Sequence, residues 1–505
     1  MSRIRKNDSA IIVGAGIGGL TAAIDLRLND FEVTVLERLD KTGGRCHQTV
    51  VDGFKFDTGP SMLMMKEEIE NLFERAGRDM TDYLKLNRLD PHSCFHFADG
   101  KRLHFTSDRH KLKREFESFQ KGAGDTIDRW LADQNLLYEV GMQQFIDRNS
   151  PNYLSALKPD NLSLLLKGMV TAPLYKSLGR YFQEKSLMDA LAFSSLYIGL
   201  NPYEAPSIYN VLPCAELNKG LYFPDGGMYS IAQALTRLAL DIGVEIKCDT
   251  RVKGFSSEKN RLNSALLEDG SKMECDLAVI NADLPEAYES ILSEKHPLEK
   301  KFSYSCGAYL FFLGMENVPE DLMHHQVFMP SCFETSMHQL FDENRISEEP
   351  TFYLSCPTKT DSSLAPSGKH AVTILVPVPS KPSSNTASDI DCRWDRIGDK
   401  LFSHIKERLN KSNLSLDEKD ILFQIRINPE EQGQRFCLKN DAAFGLSHKL
   451  SLMGPLRPRN KHHRIDNLYF AGASTHPGNG IPMVIKSGHL VTQRILQDRM
   501  KEAKN

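Results

Sequence analysis

The sequence predicts an α/β fold: a parallel sheet flanked by helices, assembled from three separated stretches, with an α+β unit inserted between them. Three observations predict it. Residues 10–37 read strand, glycine turn, helix, strand, acid. An apolar run enters Gly14-x-Gly16-x-x-Gly19, then Leu20, Ala23, Ile24 and Leu28 recur at helical spacing, and Glu32-Val33-Thr34-Val35-Leu36 ends in Glu37. Apolar strands of the same kind return at Leu277-Ala278-Val279-Ile280 and Asn467-Leu468-Tyr469-Phe470. The intervening residues differ in character, with short strands and long helical patterns.

Each part of the first stretch has a chemical use. Gly14 permits a tight turn, Gly16 lets a pyrophosphate approach the backbone, and Gly19 lets the helix pack closely on the strand. Gly18 belongs to the same loop. The helix N-terminus offers free N–H groups and a partial positive charge. Glu37 stands at the distance expected of an acid that accepts hydrogen bonds from a ribose diol. A glycine turn alone occurs in many α/β proteins; the strand, helix and acid in register point to a dinucleotide and a Rossmann-type domain. Gly43-Gly44-Arg45 extends the site, since the glycines allow backbone contact and the arginine brings a planar fork to a phosphate. A nicotinamide site does not usually need this extension. It resembles the site of a permanently held FAD, as in glutathione-reductase-like flavoproteins of the amine oxidase and desaturase type.

Composition bounds the remaining possibilities. A chain of 505 residues can bury two or more domain cores. Hydrophobic residues at 41% and charged residues at 25% are ordinary for a globular protein. A net charge of −4 argues against a nucleic-acid binder driven by phosphate neutralisation. The 10 cysteines contain no C-x-x-C pair, which suits reduced thiols in a cytoplasmic protein and leaves no metal site expected. Residues 1–8 are polar and basic, so no signal peptide is expected. No apolar stretch is long enough to span a bilayer, so a lipid substrate would be met by a peripheral protein.

In chain order, residues 1–83 form the first part of the nucleotide domain. Within them residues 48–57 read as a hairpin turning at Asp52-Gly53, and residues 67–75 as an amphipathic helix. Residues 84–220 are a substrate-side, largely helical region with short strands around residues 94–97 and 102–105. The run 162–170 reads first as a core helix. The cations Arg109, His110, Lys111, Lys113 and Arg114 read first as a solvated face, or else as a rest for anionic headgroups. Residues 221–300 return to the nucleotide domain through the turn Pro224-Asp225-Gly226-Gly227, a helix, and strands near 244–247, 250–255 and 277–280. Residues 301–445 supply a second domain, with strands near 310–313, 351–354 and 371–376 and a polar loop at 381–389. Residues 446–505 close the nucleotide domain with a strand, the loop 472–483 and a final helix near 484–499.

Together these pieces resemble the phytoene desaturase family, in its bacterial and fungal carotenoid desaturase branch. The matching pieces are residues 14–19, Glu37, 43–45, 56–61, 196–206, 222–227 and 472–482. The tail Gly-Ala-Ser-Thr-His-Pro-Gly-x-Gly-Ile-Pro is the most specific, because related flavoproteins often carry an acid where Ala473 stands. The resemblance implies non-covalent FAD, an acyclic polyene such as phytoene or dehydrosqualene, a helical membrane-facing region and a peripheral membrane habit. The cofactor set it implies is Gly14, Gly16, Gly18, Gly19, Glu37, Gly43, Gly44, Arg45, Gly59, Pro60, Ser61, Val252, Gly472, Ala473, Gly480, Ile481 and Met483. The electron acceptor, quinone or oxygen, is not legible.

A polyisoprenoid has no carbonyl to acidify its C–H bonds, so the flavin must take a hydride before a proton can leave. Glu216 is the candidate proton acceptor or cation-stabilising acid, beside a structural reading of the same carboxylate. His476 reads as a residue shaping its loop. Other polyene oxidoreductases (hydroxycarotenoid desaturase, saturase, ketolase), a flavin amine oxidase and a non-enzymatic prenyl-chain carrier stay open as alternatives.

Overall fold

The computed structural model describes residues 8–149, 170–380 and 390–502. Its centre is a five-stranded parallel sheet in the order Leu468–Phe470, Leu277–Ile280, Ser9–Val13, Glu32–Leu36, Glu245–Lys247. These strands are apolar without strict alternation because both faces are covered. Ala10 and Ile12 look to one face, where helix Ile17–Arg27 lies, and Ile11 and Val13 look to the other. That second face carries helix Leu284–Ser290 and the antiparallel strands Val252–Glu258, Arg261–Leu267 and Lys272–Glu274. Helix Ile481–Glu502 packs against the first helix at Gly488, where a Cβ would stand 2.6 Å from the Gly18 carbonyl oxygen.

A second sheet of seven strands runs Ile421–Ile427, Gly307–Met315, His370–Val378, Phe352–Ser355, His325–Phe328, Ser93–His96, Arg102–Phe105. Only the His325–Phe328 and Ser93–His96 pair is parallel. One sheet therefore draws strands from both 84–220 and 301–445. The edge pair is recruited by apolar Phe95, Leu103 and Phe105, all fully buried under helices Arg109–Phe119 and Ala123–Gly141. Leu221–Pro224 pairs with Leu86–Leu89, outside the parallel sheet. The hairpin Gln48–Val51/Phe54–Asp57 turns at Asp52 and Gly53, both with positive φ, as a tight hairpin turn requires.

The cationic helix Arg109–Phe119 is not a free basic face. Arg109 pairs with Asp128 at 3.2 Å, Lys111 with Asp90 at 2.9 Å, and Lys113 with Asp125 and Asp128. Leu112 and Phe116 turn inward. Most of the apolar run 162–170, and all of the loop 381–389, lie outside the described residues. Among the described residues no helix is long and apolar enough to cross a membrane.

Candidate functional site

The glycine loop turns at Gly14 (φ +97°), and Gly16 caps helix Ile17–Arg27 without any side-chain hydrogen bond, leaving its first N–H groups free. Gly43 N–H donates to the Ala15 carbonyl at 2.8 Å, so the second glycine pair lies beside the first. The residue that explains the glycines is Asn281, directly after strand Leu277–Ile280. A Cβ at Gly16, Gly18, Gly19 or Gly472 would fall 2.7–3.0 Å from an Asn281 side-chain atom, and one at Gly14 2.6 Å from its carbonyl oxygen. Asn281 Nδ2 also donates to the Gly14 carbonyl oxygen at 3.2 Å. The fingerprint thus serves packing around one asparagine as well as approach of a ligand.

Around this turn runs a groove with a cavity of about 390 Å³, walled by residues of the first, middle and last stretches of the chain. Gly14, Gly16, Gly18, Glu37, Gly43, Gly44, Arg45, Gly59, Pro60, Val252, Gly472, Ala473, Gly480 and Ile481 all line it. Glu37 is buried, and its carboxylate accepts from Ala15 N–H at 2.7 Å and Leu39 N–H at 2.9 Å. Arg45 donates to the Ala443 carbonyl at 3.2 Å and has no carboxylate at ion-pair distance among the described residues. Burial draws its guanidinium below the ordinary arginine value, while Asp283 opposes the shift. A free helix N-terminus, a half-buried guanidinium without a carboxylate partner among the described residues and a carboxylate at a strand end together fit a dinucleotide.

Three residues of the expected cofactor set stand elsewhere. Gly19 is off the groove, because its Cβ position is pressed 2.1 Å from the Gly14 carbonyl oxygen. Ser61 and Met483 line a second cavity instead, since the chain has already turned away from the groove there. Asn281 and Asp283 line the groove and were not among the expected residues. Their signal was available: they follow a parallel strand at its carboxyl end, where ligands of such sheets bind.

The second cavity, about 610 Å³, meets the groove at Gly59, Pro60, Tyr197, Leu375, Phe444, Asn479, Gly480 and Ile481. None of its lining residues is Asp, Glu, Lys or Arg. Methionines 62, 64, 65, 142, 453 and 483 give it soft, adaptable walls. Its lining also includes Leu450 and Leu456, which are 46% and 50% exposed. Fully buried Arg457 ties this end to the tail loop. It donates to five backbone carbonyls, of Leu446, Ser447, Leu452, Ala473 and Thr475. Charge-assisted bonds of this kind contribute about 1.5–3 kcal/mol each, so the two loops are held as one piece. His476 is buried and lines neither cavity.

Glu216 is not on either cavity wall. It is wholly buried in helix Val211–Lys219, behind Tyr197, whose hydroxyl donates to its Oε2 at 3.3 Å. Burial pushes its carboxyl up to about 8. Among the described residues, one cluster of metal-ligating type, Glu294, His462 and His463, lies apart from both cavities, and Arg464 already engages Glu294.

The flavin-containing amine oxidoreductase family model matches residues 17–496. A zeta-carotene-forming phytoene desaturase of Myxococcus xanthus is 36% identical over 500 residues, covering 98% of this chain and 95% of the relative. The chain belongs to the phytoene desaturase family. This family member is an FAD-dependent oxidoreductase. A 4,4'-diapophytoene desaturase (4,4'-diaponeurosporene-forming) of Staphylococcus aureus is 30% identical to it, covering 96% of this chain and 98% of that one. Among solved structures, putrescine oxidase bound to putrescine matches with a TM-score of 0.64 at 15% identity, covering 97% of this chain and 99% of that one. That likeness concerns the fold alone.

Proposed function

We propose that this family member desaturates a long acyclic polyene such as phytoene or diapophytoene, removing hydrogen from adjacent carbons. The observation that carries the reading is the second cavity: large, free of charged side chains, and continuous with the dinucleotide groove. An amine substrate would bring a cation into these walls with no carboxylate to receive it, at a desolvation cost that disfavours an amine oxidase. A polyene loses only water there.

In this reading Gly14, Gly16 and Gly18 would hold the FAD pyrophosphate, Arg45 would meet a phosphate and Glu37 the adenosine ribose. When bound, FAD supplies a two-electron hydride acceptor. Gly480 and Ile481 stand where groove and cavity meet, and the helix that begins at Ile481 turns its positive end toward that junction. The protein's share is to align the chain, exclude water and hold the ring against the substrate. Entry from a bilayer suits the exposed Leu450 and Leu456 better than the acid-paired helix Arg109–Phe119. The test is expression in bacteria that accumulate colourless phytoene or diapophytoene, with chromatography of the pigments. Coloured products with longer conjugation support the reading; an unchanged polyene beside FAD-loaded protein overturns it.

A further inference from the structure

Eight residues line both cavities, and only Tyr197 and Asn479 among them carry a polar side chain. The Asn479 amide cannot take a proton near neutral pH. Tyr197 can, provided something behind it takes its own. Directly behind it stands Glu216, with no exposed surface and no lysine or arginine at ion-pair distance among the described residues. Its Oε2 accepts from Tyr197, Ser93 also acts on the carboxyl through its side-chain hydroxyl, and its Oε1 lies 3.3 Å from His92 Nδ1. A carboxyl buried this way costs more than an apolar residue would, so packing alone does not account for it.

We infer that Tyr197 takes the proton lost from the substrate and that Glu216 is the positioning carboxylate behind it, which receives the phenol's proton in turn. The inference rests on the desaturase reading above. The bond that breaks is the C–H on the carbon next to the one that has lost hydride, and its electron pair becomes the new C=C bond. The proton joins the Tyr197 oxygen as the Tyr197 O–H proton passes to Glu216 Oε2. The hydride's electron pair leaves to the FAD, so the substrate is oxidised by two electrons and Glu216 ends as a neutral acid.

The surroundings leave the carboxyl to titrate by itself. His92 faces it from the start of strand Ser93–His96, and burial holds that imidazole down at about 3 and so neutral. Tyr353 faces it from strand Phe352–Ser355 and is hydrogen-bonded to His325 Nδ1 at 2.6 Å, a second imidazole that burial keeps neutral. Asp57 acts on Tyr353, and Asp90 and Arg88 act on His92, from farther out. The burial that raises Glu216 to about 8 puts its charged form within reach of ordinary working pH, where a base is most useful.

The test uses purified, FAD-loaded protein and the variants Glu216→Gln and Tyr197→Phe. Infrared difference spectra should show a protonated carboxyl, absent from Glu216→Gln, that titrates with a midpoint near pH 8. The rate of a single turnover on phytoene or diapophytoene should rise through the same pH range. Both variants should keep FAD, lose roughly 100-fold or more in rate, and show a flat profile. A variant with the native rate and pH profile overturns the inference, as does a Glu216 carboxyl already ionised below about pH 6. Wild-type protein that holds FAD and shows the carboxyl titration, yet leaves both polyenes unchanged, brings down the desaturase reading and the proton transfer with it.

Discussion

Replacing Gly480 separates strain from obstruction. Its φ is +98°, a conformation that L side chains adopt at a cost of about 1–3 kcal/mol. A Cβ built there meets nothing within 4 Å, because it points into open space where the two cavities join. Gly480→Ala should therefore carry the strain and little else. Gly480→Leu carries the same strain and adds a branched side chain in the space that ring and polyene must share. Stripped of FAD, the two variants should lose similar thermal stability, since the leucine displaces no wall atom. They should differ in function: Gly480→Ala keeps FAD and most of its turnover, whereas Gly480→Leu loses FAD occupancy or substrate access and at least about 100-fold in rate, the scale of a misplaced reactant. Absorbance of released flavin per chain, melting temperature and product chromatography measure the three quantities. Native turnover in a folded, FAD-loaded Gly480→Leu protein would remove the reaction centre from this junction.

Two further outcomes follow from the same geometry. Glu37→Gln keeps the size and loses the charge, and its amide leaves one of the two backbone N–H donors of Ala15 and Leu39 without an acceptor; FAD should wash out roughly tenfold more readily, the scale of one charge-assisted hydrogen bond, with a modest fall in melting temperature, and unaltered retention would take Glu37 off the ribose. Leu450→Asp with Leu456→Asp should abolish flotation on liposomes and slow turnover on membrane-held polyene more than on detergent-solubilised polyene, and unchanged flotation would move the membrane contact elsewhere.

The parallel sheet and its glycine turn were legible because their signals are local. An apolar strand, glycines at fixed spacing and an acid at the next strand's end lie within 30 residues of one another. Asn281 was not legible as the centre of that turn. Its contacts join residues 14–19 to residue 472, and no spacing along the chain announces a side chain that four Cβ positions must avoid. The same holds for strand Ser93–His96. Its sequence reads as a strand, but its parallel partner His325–Phe328 lies more than 200 residues away. Glu216 was found as an acid of interest, yet its place behind Tyr197 depends on how helix Val211–Lys219 packs against the segment Ser194–Ile198. The basic run at 109–114 reads along the chain as a solvated face first and a rest for headgroups second, and its partners Asp90, Asp125 and Asp128 come from neighbouring elements that charge counting along the chain does not see.

The central claim is that the FAD and the uncharged cavity work on one substrate at their junction. It is tested most directly by an anaerobic titration of the purified, FAD-loaded protein with phytoene or diapophytoene in liposomes. The account predicts loss of the oxidised-flavin absorbance in step with polyene added, one new C=C bond formed for each flavin reduced. Bleaching by an amine such as putrescine and not by either polyene would contradict it, as would new double bonds formed while the flavin stays oxidised.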